Sequence, residues 1–250
     1  AAQNPDFYLV NGDLTNLGLK GEYEESLKWL NALSDDPGRI MLVPGNHDAY
    51  VRESETFIHD YWTPWLNGTQ AFPYAREIGE QCVVIGVSSA VATKPFMATG
   101  RIGADQAASL AGMLDHYGRE GYTRLVMIHH PPVPGVVPAR KGLDDWRRLH
   151  HVIAESGAEV ILHGHAHYPS NTHMIAGARD IPVIGAGSAS LAPDKRIQGG
   201  DHGAHYHMLY LERRHLGLRH HAYDAQQQKF VAKNMLEIDL RRTNMLGKFS

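Results

Sequence analysis

The chain has one cysteine, Cys82, in 250 residues, which excludes an intrachain disulfide and any metal site built from several thiolates. Cys82 sits in the apolar run Cys82-Val83-Val84-Ile85-Gly86-Val87 and reads as a small core residue rather than a nucleophile. The lack of a disulfide framework favours the cytoplasm. No apolar stretch approaches the ~20 residues needed to cross a bilayer, and no charged-then-apolar leader opens the sequence, so membrane association is not expected. Charge of one sign is also missing: Lys and Arg number 24 against 27 Asp and Glu, a formal net charge of −3. That balance argues against general attraction to a nucleic-acid polymer, and no block of like charge resembles a binding tail. There is no internal repeat.

Histidine is abundant instead, with 17 in the chain, and it is the commonest metal-ligating side chain. An apolar content of 43% suffices for a real core. Short strand-like runs (Phe7 to Val10, Ile40 to Val43, Leu125 to Ile128, Val160 to Leu162) alternate with helical spacing over Glu22 to Leu33, Ala104 to Tyr117 and Leu143 to Glu155. Phe72 to Ile78 and Cys82 to Val87 around Gly79-Glu80-Gln81 predict a hairpin. Pro182 to Ile184, Tyr206 to Glu212 and Leu216 to Tyr223 predict antiparallel strands. The reading is α/β with two mixed sheets: one domain over 1–228, and a tail over 229–250 that pairs as an edge strand or lies outside.

Four polar segments follow apolar runs, where strands deliver side chains to loops. They are Gly12-Asp13, Gly45-Asn46-His47-Asp48, His129-His130-Pro131-Pro132 and Gly164-His165-Ala166-His167. Hydrolysis of a phosphate ester near neutral pH is served by two divalent ions ~3.5–4 Å apart, which generate a hydroxide and offset phosphoryl charge. Asp13 has two carboxylate oxygens for two ions. The amide oxygen of Asn46 can ligate, His47 can face the leaving group as an acid, and Asp48 can orient its imidazole. Successive strand residues face opposite ways, so only one of His129 and His130 enters the site; His129 is the candidate ligand. His165 and His167, two apart, share one side of an extended segment and suit one ion or two neighbouring ones.

In this order, over roughly Asp6 to Gly187, the four segments resemble the calcineurin-like metallophosphoesterase family. The resemblance implies a four-layer α-β-β-α sandwich with Asp13 bridging two metals. Asn46, His129 and His165 would complete the second site, and His167 would serve the first. His47 would assist the leaving group. Mn²⁺ or Fe is favoured for this Asp, Asn and His donor set, with Zn²⁺ as the alternative. The Gly-Asn-His-Asp form is most similar to bacterial phosphodiesterases of the cyclic-nucleotide and glycerophosphodiester type, so a small-molecule phosphoester is the expected substrate. The oligomeric state is left open, and a dimer is compatible with the sequence.

Family members also carry an Asp-x-His at the end of their first strand, upstream of the Gly-Asp, and no such segment precedes Asp13 here. The expectation is that the sequence is a fragment, with Asp201, His202, His205 or His207 as weaker substitutes. A catalytically silent scaffold and a phosphomonoesterase are the competing readings. Recognition is expected in the loops Tyr50 to Leu66 and Pro95 to Arg101, through Tyr61, Trp62, Trp65, Phe96 and Thr99.

Overall fold

Strict period-two alternation in the central strands makes the large sheet a wall with two apolar faces. A computed structural model of the chain describes residues 4–51, 53–69, 71–94, 96–192 and 203–241. Its largest sheet has six strands: β3 (Tyr74–Ile78), β4 (Cys82–Val87), β5 (Thr123–Ile128), β6 (Val160–His163), β7 (Ser170–Ala176) and β8 (Arg179–Gly185), in the spatial order β3-β4-β5-β6-β8-β7. The four central strands run parallel, and β3 and β7 close the edges antiparallel.

Val83, Ile85, Val87, Val126, Ile128, Ile161 and Val183 face one core, which α3 (Ala104–Arg119) and α4 (Trp146–Ser156) cover. Val84, Leu125, Met127, Val160, Leu162 and Ile184 face the other. That second core is closed by a parallel pair, β1 (Tyr8–Val10) with β2 (Ile40–Leu42), by a three-stranded antiparallel sheet and by α1 (Lys20–Leu33) and α2 (Ser54–Trp62). The antiparallel sheet comprises β9 (His205–Glu212), β10 (His215–Asp224) and β11 (Lys229–Asp239), with β10 central. The architecture is the mixed α/β layering expected from sequence, except that the second strand layer is divided into a pair and a triplet.

The differences in detail have local causes. Residues 229–239 pair along β10, and Leu236 and Ile238 pack on the second core. α4 begins at Trp146 rather than Leu143, because Leu143 is held in a parallel bridge to Gly100. β7 has no strand-like sequence: Ser170, Asn171 and Thr172 are polar, as an edge strand with one solvated face allows. Of the residues expected to line a recognition loop, Trp62 and Trp65 belong to the core, Tyr61 packs half-buried against that core, and Thr99 is buried. Phe96 is 92% exposed.

One ion pair fastens α3, β5 and β6 together. Arg124 and Glu159 are both buried, with Nη2 to Oε1 at 2.9 Å and Nε to Oε2 at 3.1 Å, and Arg124 Nη1 also donates to the carbonyls of Leu114 and Ser156. Truncating the acid strands a buried guanidinium, so Glu159→Ala is expected to lower the unfolding free energy by about 3–5 kcal/mol. Urea denaturation measures this, and a loss under ~1 kcal/mol would show that the pair is not a fastening of the fold.

Candidate metal centre

Four parallel strands from two different sheets end at one place. β1 leads into Asn11-Gly12-Asp13, β2 into Pro44-Gly45-Asn46, β5 into His129 and β6 into Gly164-His165. The loops touch so closely that side chains are excluded. A Cβ on Gly12, at φ +90°, would stand 2.5 Å from the Gly45 nitrogen, and one on Gly45 would stand 2.1 Å from Asp13 Oδ1. Asp13 itself adopts a left-handed φ of 57° and His165 one of 63°. Strained backbone of this kind persists where surrounding contacts over-determine it.

Asp48 supplies those contacts at the first loop pair. Its fully buried carboxylate accepts from the amides of Asp13 (2.7 Å), Thr15 (2.9 Å) and Gly45 (2.8 Å) and from the Thr15 hydroxyl (3.0 Å). Burial and the Asp13 charge push its pKa up to about 6, while the amide donors pull the other way. This corrects the sequence expectation for Asp48. Its oxygens are committed to the loop amides, and the imidazole of His47 is instead oriented by Nδ1 against the Asn16 carbonyl at 2.7 Å.

His129 Nε2 is the focus of the donor set. It lies 3.3 Å from Asp13 Oδ2, 3.2 Å from Asn46 Oδ1 and 3.2 Å from His165 Nδ1. One ring nitrogen cannot make three good hydrogen bonds. Donor atoms each ~2.1 Å from a common ion, by contrast, stand ~3.0–3.4 Å apart. The other nitrogen, Nδ1, meets the Asn11 carbonyl at 2.5 Å and donates to it, which leaves the Nε2 lone pair facing the cluster. Asn46 makes no capping bond to the short helical turn after it, so its amide oxygen is available. His165 Nε2 is buried with no hydrogen-bond partner among the described residues. These residues fit a divalent cation.

The electrostatics agree with the geometry. Burial works to raise Asp13, but His129 and the His47 amide hold it well below the carboxylate range. Burial likewise works to lower His129, and the Asp13 charge overcomes it to give a net rise. Burial and His129 push His165 down to about 3, which keeps its ring neutral with one lone-pair nitrogen. His167 is exposed, adopts φ +64° and is lowered by partial burial, with Asp13, His47 and Lys141 among the charges it feels. It feels the Asp13 charge and remains, with Asp13, a candidate for a neighbouring ion.

His130 comes within the same 4.8 Å grouping as His129 and His165, yet both its nitrogens are engaged. Nδ1 pairs with Ser89 Oγ at 2.8 Å and Nε2 with the Ala98 carbonyl at 3.2 Å, so it buttresses the site from behind. Asp201 and His202 lie outside the described residues. His205 and His207 gather elsewhere, around His220. Residues that the sequence did not single out include Thr15, Asn16 and Asn11, which act through loop hydrogen bonds that no spacing encodes. The exposed aromatics beside the motifs are Tyr50, near-parallel to His47 at 6.3 Å between centroids, and Tyr168, whose hydroxyl donates to the Val136 carbonyl.

The family model described as calcineurin-like phosphoesterase matches residues 1–169, and the chain belongs to that family. A probable cyclic nucleotide phosphodiesterase from Synechococcus sp. is 30% identical over 171 residues, 66% of this chain. The match spans 59% of that relative's length. Among solved structures, a dimetal phosphatase from Danio rerio superposes with a TM-score of 0.67 over 94% of this chain and 84% of its own, at 12% identity. That likeness concerns the fold alone.

The glycine contacts give a test. Gly45→Ala would drive a methyl into Asp13 and into His129 Cε1, 2.7 Å away, so Mn²⁺ affinity is expected to fall roughly tenfold or more. Gly112→Ala, with open space around the added methyl in α3, should leave affinity unchanged. Calorimetric titration compares the two, and equal affinities would show that the loop contact does not shape the donor set.

Proposed function

We propose that the protein hydrolyses small-molecule phosphodiesters at a two-metal centre, Mn²⁺ or Fe favoured. Asp13, Asn46, His129 and His165 hold one ion, and Asp13 with His167 contributes to the other. The observation that carries this reading is the convergence of three donor atoms on His129 Nε2 within 3.3 Å. The diester preference is supported by the Synechococcus relative, whose name specifies cyclic nucleotides.

When bound, divalent ions supply a hydroxide nucleophile at neutral pH and offset the charge on the phosphoryl oxygens. The chain's own residues then have distinct tasks. Asp13 Oδ1 accepts the His47 amide at 3.0 Å, so the carboxylate that would hold the ions and the acid are fixed to each other. With Nδ1 held against the Asn16 carbonyl, His47 keeps Nε2 for donating a proton to the departing oxygen. Tyr50 limits the tilt of its ring. Tyr50 and Tyr168 offer exposed aromatic faces for a base or other flat group.

Removal of divalent ions by a chelator is expected to abolish hydrolysis and Mn²⁺ to restore it. His47→Ala should cost ~10²–10⁴-fold in kcat on a diester with a poor alcohol leaving group, and far less with nitrophenolate, which needs no proton. An equal loss on both substrates would remove the acid role. Hydrolysis of monoesters alone would favour the phosphomonoesterase, and two bound ions with no turnover of either class would favour the silent relative.

A further inference from the structure

The loop that carries Asn46 has a second side. Pro44 and Ala49, which bracket Gly45 to Asp48, line a cavity of about 490 Å³, a volume within the range of small-ligand sites. Helix α2 supplies Glu55, Ile58 and His59, three and four residues apart and so on one face. The segment leaving β4 closes the far wall with Ser88 and Val91.

This wall is tied to the metal centre. The side chain of Gln106 holds Ser88 by its amide and its carbonyl, each at 2.8 Å, and the next residue, Ser89, pairs with His130. One side of the cavity therefore belongs to the loop that carries Asn46 and His47, and another adjoins the residue that follows His129.

The lining is selective in its chemistry. Among the described lining residues there is no lysine or arginine, so the cavity does not suit a second phosphate or a carboxylate. Its polar side chains are Glu55, His59 and Ser88, set among apolar groups such as Val51, Ile58 and Phe72. The Glu55 side chain is exposed, and no hydrogen bond or ion pair engages it among the described residues. His59 Nδ1 is buried with no hydrogen-bond partner among the described residues. A carboxylate only accepts hydrogen bonds, and an imidazole nitrogen can accept one. The matching occupant is uncharged, partly apolar and rich in O–H and N–H donors.

We propose that this cavity holds the nucleoside of a nucleotide ester, with Glu55 accepting from its hydroxyl or amino groups while the phosphoryl group lies at the metal centre. The assignment rests on the phosphoester reading of that centre and adds a place for the organic half of the substrate. Tyr50, between the lining residues Ala49 and Val51, carries its exposed ring on the same segment.

The test uses the full chain loaded with Mn²⁺ and two probes whose carbon–phosphorus bonds resist hydrolysis: methylphosphonate, and the methylene phosphonate analogue of adenosine 5′-monophosphate. Calorimetric titration is expected to show the nucleoside probe binding roughly tenfold tighter or more, the worth of one hydrogen bond to a charged acceptor. Glu55→Ala should remove most of that preference. Ala92→Trp, which fills the cavity from an exposed lining position, should remove it by a different route, and both variants should keep the wild-type affinity for methylphosphonate. Equal affinity for the two probes in the unaltered chain, or an undiminished preference in either variant, would overturn the pocket and leave the metal centre standing. No binding of methylphosphonate would withdraw the phosphoester reading and the proposal with it.

Discussion

The buried carboxylate of Asp48 is the interaction on which the rest of the centre depends. It takes its donors from two loops that leave two different strands, three amides and one hydroxyl, and so fixes the approach of Asp13 to Gly45. A charged acceptor tolerates burial only when its lone pairs are met, and a hydrogen bond to an ionised acceptor is stronger than a neutral one. The left-handed backbone at Asp13 and the side-chain-free contact between Gly12 and Gly45 both follow from that clamp. With the loops held, the Asp13 carboxylate and the Asn46 amide face the large sheet, and His129 and His165 meet them from its strand ends.

Much of this was legible in the sequence because it rests on periodicity. Alternation along β5 puts Leu125, Met127 and His129 on one face and Val126, Ile128 and His130 on the other, so the choice of His129 over His130 is a matter of parity. Structure adds that both His130 nitrogens have partners, in Ser89 and the Ala98 carbonyl. The hairpin of β3 and β4 was likewise readable from two apolar runs around Gly79.

What was not legible depends on long-range pairing. Adjacency in sequence suggested that Asp48 steadies His47, yet neighbouring residues in a tight turn point apart, and Asn16, 31 positions away, does it instead. Trp62 and Trp65 looked like recognition aromatics because they lie in a loop-like stretch, but Trp62 donates Nε1–H to Ser26 at 2.8 Å inside the α1–α2 contact. β7 escaped notice because edge strands carry little apolar signal. The histidines of β9 and β10 were visible as residues, and only the cross-strand register brought them into one group.

The centre straddles the seam between two sheets that share no strand pairing among the described residues. Asp13 and Asn46 ride on the β1–β2 pair, while His129 and His165 ride on the six-stranded sheet, with the His129 bond to the Asn11 carbonyl as one tie across. Any sliding of one layer over the other therefore appears at full amplitude between donor atoms that must agree to a few tenths of an ångström. The apolar filling between the layers, from Val84 and Met127 to Leu216 and Leu218, acts as the spacer that calibrates the centre. A cavity opened there, touching no ligand, would detune the chemistry while the chain was still folded.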